Sequence, residues 1–153
     1  MNGDNHSTIK EVGFSLLAEG KTVRIRADGY SMFPSIKPGS VIYIEPLTDE
    51  QNPAPGDIIA WKRETGFVVH RLIRILREEN NIRFITRGDS CVNEDKPVLK
   101  EQIAGKVIHT ESSSGKRKEA RVKHISKPGY LYNRLLVWFI IRLYKLSRII
   151  RQI

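Results

Sequence analysis

Short runs of β-branched and apolar residues, divided by Gly, Pro and Asp, fill the chain from residue 23 to residue 125. Val, Ile and Thr favour strands, whereas Gly, Pro and Asp favour the turns that end them. This punctuation predicts a mainly β body, a folded barrel or sandwich of six or seven strands. We predict strands at Val23–Arg26, Val41–Glu45, Asp57–Lys62, Phe67–Leu76, Ile82–Thr86, Ile103–His109 and Arg121–Ile125.

A helix is predicted on each side of this β body. Ser7 or Thr8 can cap a short helix over 8–19, in which apolar residues recur at helical spacing until Gly20. After Pro128-Gly129, the segment 130–153 contains five basic residues and no acidic ones. We therefore divide the chain into an N-terminal helix and lead-in (1–22), a β domain (23–127) and a basic amphipathic C-terminal helix (128–153).

Size and composition narrow the classes of function. A chain of 153 residues is expected to form one domain, and its net charge of +9 implies an anionic partner, either nucleic acid or an acidic lipid surface. The single cysteine, Cys91, has no disulfide partner within the chain. His6, His109 and His124 are scattered without metal-ligand spacing, so we expect no metal and no cofactor.

An unusual turn, Gly29 to Ser40, joins two predicted strands and contains Ser31, Met32 and two prolines. Serine is a weak nucleophile that needs an adjacent base, and a rigid turn can direct backbone N–H groups at a developing oxyanion. Most turn serines have no such role. The motifs that follow in the chain favour the functional interpretation here.

These motifs occur in a fixed order. Ser-Met-Phe-Pro and Pro-Gly-Ser are followed by Pro-Gly-Asp-Ile-Ile-Ala-Trp, Val-Val-His-Arg-Leu-Ile, Thr-Arg-Gly-Asp-Ser and Ile-Ala-Gly-Lys-Val. Over residues 23–108 the chain thus resembles the signal peptidases. The resemblance implies a signal-peptidase-like β fold and a serine endopeptidase of the histidine type, found in archaea and the endoplasmic reticulum.

Within this resemblance, Ser31 is the expected nucleophile and His70 the general base. Neutral histidine can accept a proton near its ordinary pKa of ~6.5. Asp95 is the expected partner of His70, with Asp89 shaping the site beside it, although the two roles could be exchanged. Strand alternation turns Arg71 away from His70. The alternative is that these residues have no catalytic role, with His70 a half-buried residue on a strand and both aspartates ordinary turn residues.

Two departures from the signal-peptidase pattern concern the oxyanion site. Gly29 stands where many bacterial relatives have an assisting serine, and Ser90 stands where asparagine is usual. Only backbone donors, including the N–H of Ser31, are therefore expected to stabilise the oxyanion.

The C-terminal segment has separate basic and apolar faces if it is helical. The basic residues Arg134, Arg142, Lys145 and Arg148 fall in one sector of about 120°. Opposite them lie Tyr132, Leu136, Phe139, Leu143, Leu146 and Ile150. The longest uncharged run, Leu135 to Ile141, is far shorter than the ~20 residues of a membrane-spanning helix.

We therefore expect this helix to lie on an anionic membrane surface, with the protein peripheral to the membrane. The cytoplasmic side is expected because the first residues lack a secretory signal and no N-terminal membrane span is visible. The alternative is that the apolar face docks on the β body or on a second copy of the chain.

The predicted function is cleavage of a signal, leader or precursor peptide through a Ser31 acyl-enzyme. A non-catalytic module that attaches to anionic membrane or nucleic acid through the basic tail is the alternative, with nucleic acid the less expected partner. A self-cleaving repressor is a weaker rival, because only about 22 residues precede the β body and Ala104-Gly105 lies inside a predicted strand. The sequence leaves the oligomeric state open.

Overall fold

The computed structural model describes residues 12–48, 52–63, 66–79, 81–120 and 122–150, with side chains described as far as residue 147. A short helix, α1, covers 12–18, and a long helix, α2, covers Lys127–Ile150. Between them the strands are β1 Val23–Arg26, β2 Val41–Glu45, β3 Ile58–Arg63, β4 Gly66–Glu78, β5 Asn81–Arg87, β6 Val98–Leu99, β7 Ile103–Glu111 and β8 Arg117–Glu119.

The strands form one antiparallel sheet in the order β1-β2-β7-β3-β4-β5-β6, with β8 added to β7. The prediction of a mainly β fold with a helix at each end is confirmed. The sheet is bent by register shifts at Tyr43/Ile44, Ala60/Trp61 and Leu72/Arg74, and strand pairing does not close it into a barrel among the described residues. The part of the first predicted helix at 8–11 lies outside the described residues.

The strand predicted at Arg121–Ile125 is wrong. Residues 122–126 have no regular structure, and the last strand is instead β8, at Arg117–Glu119. The Ser112–Gly115 segment forms a tight turn in which Gly115 has a φ of 79°, so the chain reverses at once and pairs with the end of β7. Because β8 consists only of charged residues, it gave no apolar signal.

Strand β3 is buried on both faces and separates two apolar cores. Ile58 and Ala60 belong to the first core, while Ile59 and Trp61 belong to the second. Successive side chains of a strand point to opposite faces, so an uninterrupted apolar run fits a strand covered on both sides. The first core also takes Met32 and Ile36, which anchors the turn of Ser31 to the sheet.

Helix α2 packs on the β body through its first half only. Tyr130, Asn133 and Val137 are buried there, whereas every residue from 141 to 147 is exposed. At about 100° per residue, this docked side lies roughly a third of a turn from the predicted apolar face. That face stays exposed at Tyr132, Phe139, Leu143 and Leu146. Within the described ranges, neither helix is long and apolar enough to span a membrane.

Candidate active site

The turn after β1 holds Ser31 at the edge of the first core. Its neighbour Met32 is buried, and the Ile36 N–H donates to the Met32 carbonyl over 2.9 Å. At the base of the turn, the Gly39 N–H donates to the Ala27 carbonyl over 2.6 Å, and Gly39 has a φ of 83° that favours glycine. Ser31 itself is half-buried, and these contacts hold its turn in place.

His70 of β4 is joined to Asp95 by a short hydrogen bond, with 2.6 Å between Nδ1 and Oδ2. The Thr86 hydroxyl of β5 donates to the same carboxylate oxygen over 2.7 Å, and the Asp95 N–H donates to the Thr86 carbonyl over 2.8 Å. The end of β5 thus fixes Asp95 against the strand that carries His70.

The environment of Asp95 determines how the His70 ring is protonated. Burial opposes ionisation of this carboxyl, but hydrogen bonds from His70 and Thr86, with the charges of His70 and Arg63, lower the pKa of Asp95 below its ordinary value. An ionised carboxylate only accepts hydrogen bonds. His70 therefore carries a proton on Nδ1, and in the neutral ring Nε2 is left to accept one.

Arg71, the next residue of β4, is held by the other aspartate. Its Nε and Nη2 atoms donate to the two carboxylate oxygens of Asp89, each over 2.8 Å. Arg71 is 1% exposed and Asp89 is fully buried, so this is a bidentate ion pair inside the protein. Arg71 also donates to the Gly56 carbonyl over 2.7 Å. The Asp89 carboxylate thus binds Arg71, whereas the Asp95 carboxylate binds His70 and Thr86.

The segment from Gly88 to Ser90 brings the Ser31 turn and the His70 ring together. A Cβ atom on Gly88 would lie 2.6 Å from the Ser31 carbonyl oxygen and 3.1 Å from His70 Nε2. The Ser90 N–H donates to the Ser31 carbonyl over 2.9 Å, and the Ser90 hydroxyl donates to the Tyr30 carbonyl over 2.7 Å. The Ser31 main chain and the His70 ring are therefore adjacent to the same short stretch of backbone.

A cleft of about 390 Å³ opens beside these groups, and both Ser31 and His70 line it. The segment after β1 forms one wall and the start of β4 forms the other. The lining is largely apolar, with Arg26, Asp28 and Arg63 as its charged members. A larger cleft of about 540 Å³ includes Arg71 but neither Ser31 nor His70. The smaller cleft is therefore the one placed to receive a substrate at the candidate dyad.

Cys91 is the other potential nucleophile near this site. Its Sγ atom lies 2.7 Å from the position of a Cβ on Gly88. Burial, followed by the charge of Asp95, raises the pKa of the Cys91 thiol. Because the thiolate is the reactive form, this environment weakens Cys91 as a nucleophile. No group of three or more potential metal ligands occurs in the described part of the chain.

Sequence reasoning had singled out Ser31, His70, Asp89 and Asp95, and all four lie in this region. Sequence reasoning gave no role to Thr86, the second partner of Asp95, or to Asn133, whose side-chain amide donates to the Asp89 carbonyl over 2.8 Å. Thr86 had a signal, since it begins the Thr-Arg-Gly-Asp-Ser motif. Asn133 had none, because it is a polar residue within the basic helix.

Comparison with known proteins places this sequence in a family. The sequence profile described as Peptidase S24-like matches residues 3–108, more than half of the chain. The chain belongs to the Peptidase S24-like family. The matched range of this family contains Ser31, His70, Asp89 and Asp95, whereas helix α2 lies beyond it.

A curated relative supports the same peptidase class. Signal peptidase I W of Bacillus subtilis (strain 168) is 31% identical to this Peptidase S24-like chain over 75 residues. The aligned part is 48% of this chain and 40% of the relative. The chain thus spans less than half the length of that relative.

Proposed function

We propose that this protein is a serine endopeptidase of the histidine type that cleaves a signal, leader or precursor peptide. Ser31 is the nucleophile, His70 is the general base, and Asp95 orients and stabilises the His70 ring. The observation that carries this proposal is the 2.6 Å contact between His70 Nδ1 and Asp95, which leaves Nε2 as the proton acceptor beside the Ser31 turn.

In this mechanism, His70 Nε2 takes the hydroxyl proton of Ser31 as Oγ attacks the scissile carbonyl carbon. The Ser31 backbone N–H is offered to the developing oxyanion. His70 then gives its proton to the departing amine, and an acyl group remains on Ser31. A water molecule activated by His70 hydrolyses this ester and restores both residues.

The described hydrogen bonds do not include one between the Ser31 hydroxyl and His70. In serine peptidases this contact is often long without substrate and tightens in the Michaelis complex. Support for the dyad therefore comes from the cleft that Ser31 and His70 both line and from Gly88, which lies beside the Ser31 main-chain carbonyl and His70 Nε2. Asp89 is proposed to act through Arg71, holding β4 and the 88–90 segment together from the opposite face.

By the resemblance to the signal peptidases, the proposed substrate is an extended peptide with a small residue before the cut, and the cleft beside Ser31 and His70 would receive it. Ala27, Met32 and Val69 are among the apolar residues that line it. Cleavage in trans is proposed rather than cleavage of the chain's own Ala104-Gly105 bond. That bond lies within β7, where Gly105 pairs with Ala60 of β3 and packs against the Glu45 carbonyl.

The test is incubation of the purified full chain with a peptide library, followed by mass spectrometry of the products. We expect cuts after small residues, and we expect Ser31→Ala to remove them at equal protein concentration. Cleavage that survives in Ser31→Ala would belong to a contaminant or another nucleophile. An intact library with the folded wild-type protein would favour the non-catalytic binding module.

We further propose that the C-terminal half of α2, from Trp138 onward, lies on an anionic membrane surface. Trp138, Phe139, Leu143 and Leu146 are each more than half exposed, and the Arg142 guanidinium lies 5.0 Å from the centre of the Trp138 ring. Segment 130–153 contains no acidic residue that would repel anionic lipid. Apolar side chains beside cations are typical of helices that lie in a membrane interface.

Vesicle sedimentation tests this surface with a truncation that removes residues 141–153 and keeps the docked half of α2. The full chain should bind phosphatidylcholine vesicles containing phosphatidylglycerol, bind less to pure phosphatidylcholine, and lose affinity as salt rises. The truncated chain, which loses Arg142, Leu143 and Leu146, should bind much more weakly, yet should still cleave a soluble peptide. Undiminished binding would contradict the proposal, as would a dimer seen by light scattering that dissociates on truncation.

A further inference from the structure

Helix α2 lies beyond the family match, yet it contacts the segment that joins the candidate catalytic groups. The Asn133 side-chain amide, in a residue only 8% exposed, donates to the Asp89 main-chain carbonyl over 2.8 Å. One turn earlier, the buried Tyr130 ring receives the Arg87 guanidinium, whose central carbon lies 3.3 Å from the ring centre. The first half of α2 therefore binds residues 87–89 from outside the sheet.

Residues 88–90, which overlap this contact, connect to both residues of the dyad. Ser90 bonds to the carbonyls of Tyr30 and Ser31, and the backbone of Gly88 is adjacent to His70 Nε2. The Asp89 carboxylate fixes Arg71, the residue that follows His70. A displacement at Asp89 would therefore move the nucleophile turn and the base relative to each other.

We propose that Asn133 is a positioning residue for peptide cleavage, through which α2 holds the 88–90 segment in its productive place. This inference rests on the proposed function. The described hydrogen bonds join the Asn133 side chain to the Asp89 carbonyl and not to Ser31 or His70, so we expect it to act by holding that carbonyl. Small misplacements of reacting groups reduce turnover steeply, by up to about 100-fold for 1 Å. Substrate contacts in the cleft do not involve Asn133 and should persist.

The experiment compares Asn133→Leu, which keeps the branched shape of the side chain but has no hydrogen-bond donor, with Val137→Ala. Val137 is 2% exposed on the same helix, and its side chain has no hydrogen-bonding group. Both variants should melt at lower temperature than the wild type. Asn133→Leu should lower kcat by about 10-fold to 100-fold with KM nearly unchanged, while Val137→Ala should keep kcat within about twofold. Asn133→Gln, which retains a donor, should recover part of the loss.

Rates are normalised to the folded fraction measured by circular dichroism. Wild-type kcat in folded Asn133→Leu would overturn the positioning role, as would an equal loss in Val137→Ala. If Asn133→Leu does not fold, Asn133→Ala, which also lacks a side-chain donor, takes its place, and failure of both to fold would make Asn133 a structural core residue and overturn the proposal.

An inactive wild-type protein would instead contradict the proposed function, and the two failures are separated by nuclear magnetic resonance. The ring ¹⁵N resonances of His70 should shift in Asn133→Leu and stay in place in Val137→Ala, whether or not a substrate is cleaved. Unchanged His70 resonances in folded Asn133→Leu would overturn the positioning role independently.

Discussion

His70 and Arg71 are adjacent on β4, face opposite sides of the sheet, and are each held by a different aspartate. His70 bonds to Asp95 beside the cleft, and Arg71 forms a buried bidentate pair with Asp89. Alternation along the strand separates these two pairs although their residues are close in sequence. The two aspartates should therefore respond differently to substitution.

Asp89→Asn should destabilise the protein far more than Asp95→Asn at neutral pH. Removing one partner leaves the buried Arg71 charge uncompensated, which costs about 3–5 kcal/mol of unfolding free energy. Asp95 is partly exposed, and asparagine can still accept a hydrogen bond from His70. Urea denaturation followed by tryptophan fluorescence measures both variants.

The double variant Arg71→Met with Asp89→Leu provides the control for this comparison. It should recover part of the Asp89→Asn loss, because no buried charge remains unpaired. Equal stability of Asp89→Asn and Asp95→Asn would contradict the assignment of the two aspartates to different faces.

Asp95 should also make stability depend on pH in the acidic range. Its pKa is lower in the folded protein than in the unfolded chain, so its contribution is fully present above the unfolded value of about 3.9 and is lost as pH falls through the folded value. As the pH falls below about pH 4, the stability difference between the wild type and Asp95→Asn should shrink. A difference that instead grows as the pH falls below about pH 4 would contradict an ionised Asp95.

Gly88→Ala should impair cleavage because the new methyl group has no room. It would lie 2.6 Å from the Ser31 carbonyl oxygen and 3.1 Å from His70 Nε2. We expect kcat/KM to fall by about 100-fold through displacement of these groups. Overpacking should also cost about 1–3 kcal/mol of unfolding free energy.

Gly29→Ala is the folding control for this substitution, since a Cβ there meets no atom within 4 Å. It should unfold at the same urea concentration as the wild type. Normal kinetics in Gly88→Ala would show that the close approach at Gly88 does not set the relative positions of Ser31 and His70.

The positions of most strands along the chain could be predicted from the sequence because they depend on local signals, whereas the candidate site residues came from the resemblance to the signal peptidases. The runs Val23–Arg26 and Val41–Glu45 coincide with β1 and β2, since β-branched residues bounded by turn residues are explicit. The pairing of Asp89 with Arg71 was not predicted, because it depends on how the chain folds between Arg87 and Val98.

Helix α2 has an exposed apolar face and a separate docked side, and hydrophobic periodicity reveals only the first. Hydrophobic spacing identified the exposed face that carries Phe139 and Leu143, whereas the docked side uses Tyr130, Asn133 and Val137. Asn133 is polar, and its burial follows from one tertiary hydrogen bond to Asp89. A tertiary contact of this kind leaves no mark on helical periodicity.

The most direct measurement of the dyad is the rate of peptide cleavage by Ser31→Ala, His70→Ala and the double variant, each confirmed as folded by circular dichroism. Because the two residues activate one nucleophile together, each single variant should lose at least ~10³-fold in kcat. The double variant should be about as active as the less active of the two single variants. Near-normal turnover in either folded single variant, or losses that multiply in the double variant, would contradict a Ser31–His70 catalytic unit.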